Sequence, residues 1–304
     1  MPELPVNETI IFVSVVMLYS AAAIVGIIQL FSNSEKYRRL VLPIVSLAIC
    51  LEAVLLIFRA VAIKAVPLTG LFESMIMLTI VFGLVFLFFS IGIKQVWFGS
   101  VMVWVILIMI VLAGTVAKPA SEPYPIAATP WAIAHGIAMV LSGALIVFAT
   151  ANAFLYLLGA RRLKQKKVMK VLGRVPNIEK LKKLNVFGLK GCFVLMTFGL
   201  ASGFGMALVK STAIQMSILD WLIDAKIVLI IVSWILLAIV LILRSLALLK
   251  DKTISYITIA IFFVILFAIL GTAVLCNTKH DFTSKNVKFN QESKCINEDH
   301  SCRT

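Results

Sequence analysis

Apolar residues do not alternate with polar ones along this chain at the period of a helix face or of a strand. They come in long unbroken runs separated by short polar stretches, at approximately 10–31, 40–63, 71–93, 96–117, 131–159, 186–209, 225–249 and 253–276. A helix needs about 20 apolar residues to cross a hydrocarbon layer of about 30 Å, so each run has span length. Inside a bilayer every backbone N–H and C=O must be satisfied within its own segment, which makes each run a helix; the short alternating strands of a barrel are missing. The expectation is an all-α integral membrane protein, a bundle of about eight transmembrane helices over residues 1–282. The polar tail 283–304 has little apolar content and is expected to be flexible. The first run is of full span length and follows an acidic rather than a basic segment, so no cleavable signal is expected.

Composition points the same way: 62% of the 304 residues are hydrophobic and 14% are charged, too few to cover a water-soluble fold with polar surface. The net charge of +14 is unevenly spread. The densest basic segment is RRLKQKKVMKVLGRVPNIEKLKK, residues 161–183, and Lys36, Arg38, Arg39, Lys94, Lys250 and Lys252 lie in loops of the same parity. Those loops are expected in the cytoplasm, with the opposite loops and both termini outside the cell membrane. Anionic lipid headgroups account for these cations, so no nucleic-acid partner is expected. Among the cysteines, Cys50 and Cys192 fall within runs and read as small packing residues. Cys276 ends the last run, and Cys295 and Cys302 sit in the exported tail, where a disulfide between the last two is permitted; no C-x-x-C metal spacing occurs.

Polar residues at membrane depth are costly, and each is a functional candidate until explained. Arg59 and Glu73 bracket the loop AVAIKAVPLTGLF and can pair with each other; Glu52, deeper in the second run, has no such ready partner. Gly199 and Gly203 in TFGLASGFG form a small-xxx-small face for close helix approach. The segment LDWLIDAK, residues 219–226, places Trp221, Asp224 and Lys226 together just outside the seventh run. His135, one turn into the fifth run, and His280, just after the eighth, fall in the same outer layer. Two imidazoles brought together there could fill the axial positions of a haem iron, with cations meeting its propionates; alternatively each is an interfacial histidine satisfied by water or a carbonyl. Asp224 and Lys226 can equally be a local pair, and Trp221 an interfacial anchor.

Several segments resemble the membrane cytochrome c assembly proteins, the CcsA/ResC-like branch with its HemX-like relatives. PLTGLFESM, residues 67–75, is similar to that family's P-L-S-N-L-Y-E-S; it carries Pro67, Glu73 and Ser74, with Arg59 eight residues before the proline. HGIAMVLSGAL, residues 135–145, is similar to H-x-x-x-M-x-L-S-Y-A, and MTFGLASG, residues 196–203, to L-T-I-G-I-L-S-G. WLIDAKIVLIIVSWILLAIVLILR, residues 221–244, resembles the end of the tryptophan-rich haem-handling loop and the helix that follows it, through Trp221, Asp224, Lys226, Trp234 and Arg244. TKHDF echoes G-L-H-S-Y. The resemblance runs in family order over about residues 59–282.

What this resemblance implies is a cytochrome c assembly protein that holds haem (b-type and transient) at its outer face. His135 and His280 would be its ligands, with Trp221, Asp224 and Lys226 as neighbours. It also implies a CcsB/ResB-like membrane partner, apocytochrome c as recipient, and a place in a bacterial plasma membrane. The chain by itself would be no enzyme, at most a subunit of a haem-attachment machinery, and no residue is assigned a catalytic role. The departures are specific: Ile223 and Ala225 break the tryptophan core, VKSTAIQMSI replaces its upstream half, and Ala65 and Ile242 stand where haem exporters carry histidines at membrane depth. Two other readings stay open, a HemX-like accessory or regulatory protein working through the basic loop, and a small-ion or metabolite transporter using Glu52, Arg59 and Asp224.

Overall fold

The computed structural model describes residues 4–32, 35–63, 70–93, 96–117, 129–164, 177–214 and 224–271. All eight expected helices are present. They are α1 (Val6–Ser32), α2 (Glu35–Ile63), α3 (Leu71–Gly92), α4 (Val96–Val116), α5 (Pro130–Lys164), α6 (Ile178–Ile214), α7 (Ala225–Ser245) and α8 (Asp251–Leu266), the last continuing into a π-helical turn, Phe267–Gly271. Each is long and apolar enough to cross a membrane. Successive helices run antiparallel, so α1, α3, α5 and α7 begin at one end of the bundle, here the upper end. It is the end that the loop charges predict to be outside.

The apolar runs underestimate α5 and α6. Hydropathy falls where a helix leaves the hydrocarbon, whereas its hydrogen-bond ladder continues. At the lower end α6 begins eight residues before its apolar run and α5 continues to Lys164, so much of the basic segment is helical. Asn177 starts α6 by accepting the Lys180 backbone N–H on its side-chain oxygen at 3.1 Å, which satisfies one of the orphan donors of the first turn.

Two cores share one helix. The first packs α1–α4 against the face of α5 that carries Ala144, Val147, Phe148 and Ala151. The second packs α6–α8 against the face carrying Ile146 and Ala149. Lipid tails are as apolar as leucine, so burial alone gives helices little reason to associate; close packing and interhelical hydrogen bonds must do so. Phe89 stacks on Phe148 at 4.7 Å between ring centroids, and Phe98 meets Phe148 edge-on at 6.2 Å, which ties α3 and α4 to α5. Ser100 on α4 donates to the Gly26 carbonyl of α1 at 2.7 Å. Across the second core, Thr258 on α8 donates to the Asn185 side chain of α6 at 3.3 Å. Cys192 is buried as expected, but Cys50 is exposed on the surface of α2, where lipid suits a thiol as well as a core does.

The lower end is held by ionic contacts. Lys182 meets Asp251 at 2.6 Å and Arg244 reaches the same carboxylate at 3.5 Å, joining α6, α7 and α8. Lys180 donates to the Gly92 carbonyl at the end of α3 at 2.9 Å, a cation at the negative end of a helix dipole. The α7–α8 turn is a Schellman closure: Leu248 N–H bonds to Leu243 O at 3.0 Å and Ala247 N–H to Arg244 O at 2.9 Å. Ala247 sits there at φ 55°, in the left-handed region that favours glycine. Ala247→Gly is therefore expected to stabilise the protein by about 1 kcal/mol, measurable as a raised unfolding midpoint in detergent.

Candidate functional site

Two polar constellations lie at the upper end, one in each core. In the second core, His135 stands one turn into α5 with its ring against α6. Its Nδ1 lies 2.7 Å from the Gly199 carbonyl. A carbonyl only accepts, so Nδ1 carries the hydrogen, and the hydrogen-bond network fixes the tautomer that leaves the lone pair on Nε2. Ser202 donates to the same carbonyl at 2.9 Å.

The expected small-residue face makes this contact possible. A methyl group at Gly203 would stand 2.9 Å from His135 Nδ1 and 3.0 Å from Cε1; one at Gly199 would stand 2.8 Å from Met139 Sδ. Only a bare backbone lets the Nδ1–Cε1 edge of the imidazole come this close to α6, so both glycines support the site while also packing the helices. Farther down, a methyl at Gly188 would come within 2.9 Å of Ala149 Cβ and 3.0 Å of the Leu145 carbonyl. Gly188 brings α6 close to the α5 backbone itself and was not singled out from sequence. Its signal was the GLKGC run, one helical turn ahead of Cys192.

Trp131 was also missed. It precedes His135 by one helical turn on α5, rests its ring on Gly205 of α6, and is 51% exposed. An i, i+4 pairing of tryptophan and histidine at a span end was the available clue. The result is a flat aromatic surface beside a half-buried imidazole.

Asp224 and Lys226 open α7. Asp224 is its N-cap, accepting the Lys226 backbone N–H at 3.0 Å, and the Lys226 ammonium is near enough for its charge to be felt at the His135 ring. Of the other motif residues on α7, Trp234 donates from Nε1 to Thr197 Oγ1 at 2.7 Å and stacks on Phe193 at 5.6 Å, while Arg244 belongs to the lower-end ionic cluster. Both fasten α7 to its neighbours. His280, Trp221 and Pro67 lie outside the described residues.

In the first core, Arg59 and Glu73 pair as expected: Nε and Nη2 donate to Glu73 Oε1 at 2.9 and 2.8 Å. A third member joins from α1, Glu8, whose Oε2 accepts from Arg59 Nη1 at 3.3 Å. Glu8, Arg59 and Glu73 are 6%, 5% and 0% exposed, so the triad clamps α1, α2 and α3 together in the interior. Ser74 lies in the first turn of α3, its N–H bonded to the Gly70 carbonyl at 3.0 Å.

Chemically, His135 offers an imidazole whose Nε2 has no hydrogen-bond partner among the described residues, with the Trp131 ring one helical turn away on the same helix and the Lys226 cation nearby. Among the described residues no three His, Cys, Asp or Glu side chains converge as a metal cage. A metal bound through His135 would have to bring most of its own ligands, as an iron in a macrocycle does. Comparison with curated proteins gives no match. The family of cytochrome C assembly proteins, however, matches residues 68–280, a stretch from just before α3 to beyond α8 that holds both ends of the His135 site. This chain belongs to the cytochrome C assembly protein family.

Proposed function

We propose that, within its role in cytochrome c biogenesis, this protein holds haem at the upper end of the bundle for attachment to apocytochrome c, with that end outside the bacterial plasma membrane. The observation that carries the reading is the Nδ1–H bond from His135 to the Gly199 carbonyl. Histidines that ligate metals generally donate their other ring N–H to a carbonyl or carboxylate, which orients the ring and raises its basicity. His135 is prepared in this way.

His280 is proposed as the second residue that would hold the iron, and Trp131 would supply an apolar ring surface near the first. Lys226 is positioned to meet a propionate, with Asp224 fixing the turn that presents it and Trp221 close by in sequence. Bound haem supplies the iron to be ligated and the vinyl groups to which the recipient's cysteines add. The chain's own part is to orient and to shield; no side chain need act as acid, base or nucleophile, which suits one subunit of a haem-attachment machinery. A CcsB/ResB-like membrane protein is the proposed partner for recruiting the apocytochrome.

The test is an absorption spectrum of the purified protein from haem-replete cells, as isolated and after dithionite, beside His135→Ala and His280→Ala. A Soret band with sharp reduced bands that collapses in both variants is the expected result. Gly203→Ala, which pushes a methyl against the imidazole, is expected to weaken haem binding by about 10–100-fold while leaving the protein folded. Absence of haem from the wild type would overturn the reading and direct attention to partners of the basic lower end, as a HemX-like accessory role requires.

A further inference from the structure

The first core contains a third buried carboxyl, apart from the Glu8–Arg59–Glu73 triad and not used by the haem reading. Seven residues before Arg59 on α2, about 10 Å deeper along the helix, Glu52 is 0% exposed. From α1, the Tyr19 hydroxyl donates to Glu52 Oε2 at 3.0 Å. The other carboxyl oxygen, Oε1, is buried with no hydrogen-bond partner among the described residues.

The hydroxyl of Thr79 on α3 stands beside this carboxyl, but its one hydrogen is already directed at the Met75 and Ile76 carbonyls, at 2.9 and 2.8 Å. Thr79 therefore has lone pairs rather than a hydrogen to offer the carboxyl. An unpartnered carboxyl oxygen and a hydroxyl whose hydrogen is already placed thus share one buried interior.

Charge makes the same demand. On α1 the charged residue of the spanning segment is Glu8, on α3 it is Glu73, and both engage Arg59 at the upper end. Helix α4 carries no ionisable side chain. An ionised Glu52 would be a buried charge with no counter-ion and an unsatisfied oxygen among the described residues, one of the costliest arrangements an interior can hold. A small metal cation is a poor substitute, because it would need about six oxygen ligands where one carboxyl and two hydroxyls are gathered.

We propose that Glu52 is a proton-binding site inside the membrane: its carboxyl carries a hydrogen on Oε1, directed at the Thr79 oxygen, while Oε2 accepts from Tyr19. One proton removes the charge, satisfies Oε1 and gives Thr79 a donor. With Tyr19 from α1, Glu52 from α2 and Thr79 from α3, it forms a neutral polar layer below the ionic one, built from the same three helices.

Infrared spectroscopy of the full chain in lipid nanodiscs tests this directly, through the carboxylic acid C=O stretch. The wild type should show such a band at neutral pH, and Glu52→Gln should lose it while unfolding at a similar temperature, since the amide NH₂ replaces the acid hydrogen toward Thr79. Tyr19→Phe should keep the band and move it to higher wavenumber, because the C=O loses a donor. If the wild type and Glu52→Gln share the same acid region, or if Tyr19→Phe leaves the band unmoved, the assignment is overturned. Should Glu52→Gln fail to fold, the Tyr19→Phe shift decides alone.

Discussion

Replacing Arg59 with leucine is expected to cost about 3–5 kcal/mol of stability, the penalty for leaving buried charge without its partner. The guanidinium serves two carboxylates on two helices, Glu73 at 2.8 Å and Glu8 at 3.3 Å, so its removal loosens α1 and α3 from α2 together. A buried ion pair is worth little against well-packed apolar residues, but half of one is strongly unfavourable. The loss should therefore be recovered in large part by adding Glu73→Gln and Glu8→Gln to Arg59→Leu. Unfolding in mixed micelles would measure both effects. A loss under about 1 kcal/mol for the single variant, the range of an exposed ion pair, would show that the triad is solvated and that its apparent burial does not describe the protein in a membrane.

Gly188→Ala is the second large effect, expected at about 1–3 kcal/mol, the usual cost of overpacking. The added methyl meets the Leu145 carbonyl and the Ala149 Cα at 3.0 and 3.2 Å, and backbone atoms cannot swing aside. Two other glycines supply an internal scale. At Gly199 the methyl meets the Met139 thioether at 2.8 Å, a flexible chain end that can turn away, so the stability cost should be smaller. At Gly99 on α4 nothing lies within 4 Å, and alanine should stabilise by up to about 1 kcal/mol through helix propensity. If Gly188→Ala proved as harmless as Gly99→Ala, the tight seam between α5 and α6 would not exist as described.

The number and order of the helices were legible because the hydrocarbon imposes one length on every span, and hydropathy reports that length directly. What hydropathy does not report is the helix beyond the lipid, which is why α6 gained its basic first turns only in the structure. The Arg59–Glu73 pair was readable because a short loop forces the two helix ends together. Glu8 was not, since it joins from 51 residues away and nothing local marks it. The same contrast holds at the candidate site. His135, Gly199 and Gly203 stood out as a histidine and a glycine face in family-like segments, but their direct contact depends on how α5 and α6 are rotated about their axes. Trp131 and Gly188 needed that rotation to be noticed. Asp224 and Lys226 were expected to be neighbours; that the aspartate also caps a helix is a backbone property.

The helix shared by the two cores has a consequence for biosynthesis. Spans leave the ribosome in order, so α1–α4 enter the membrane before α5 exists, and until then the flank of α3 and α4 that ends up against Ala144, Phe148 and Ala151 faces lipid. Arrival of α5 closes that flank and at the same moment presents the opposite face on which α6–α8 will assemble. The protein is thus made as two halves that cannot mature independently: an interruption before α5 leaves the first half open, and one after it leaves the second half with a template and no content.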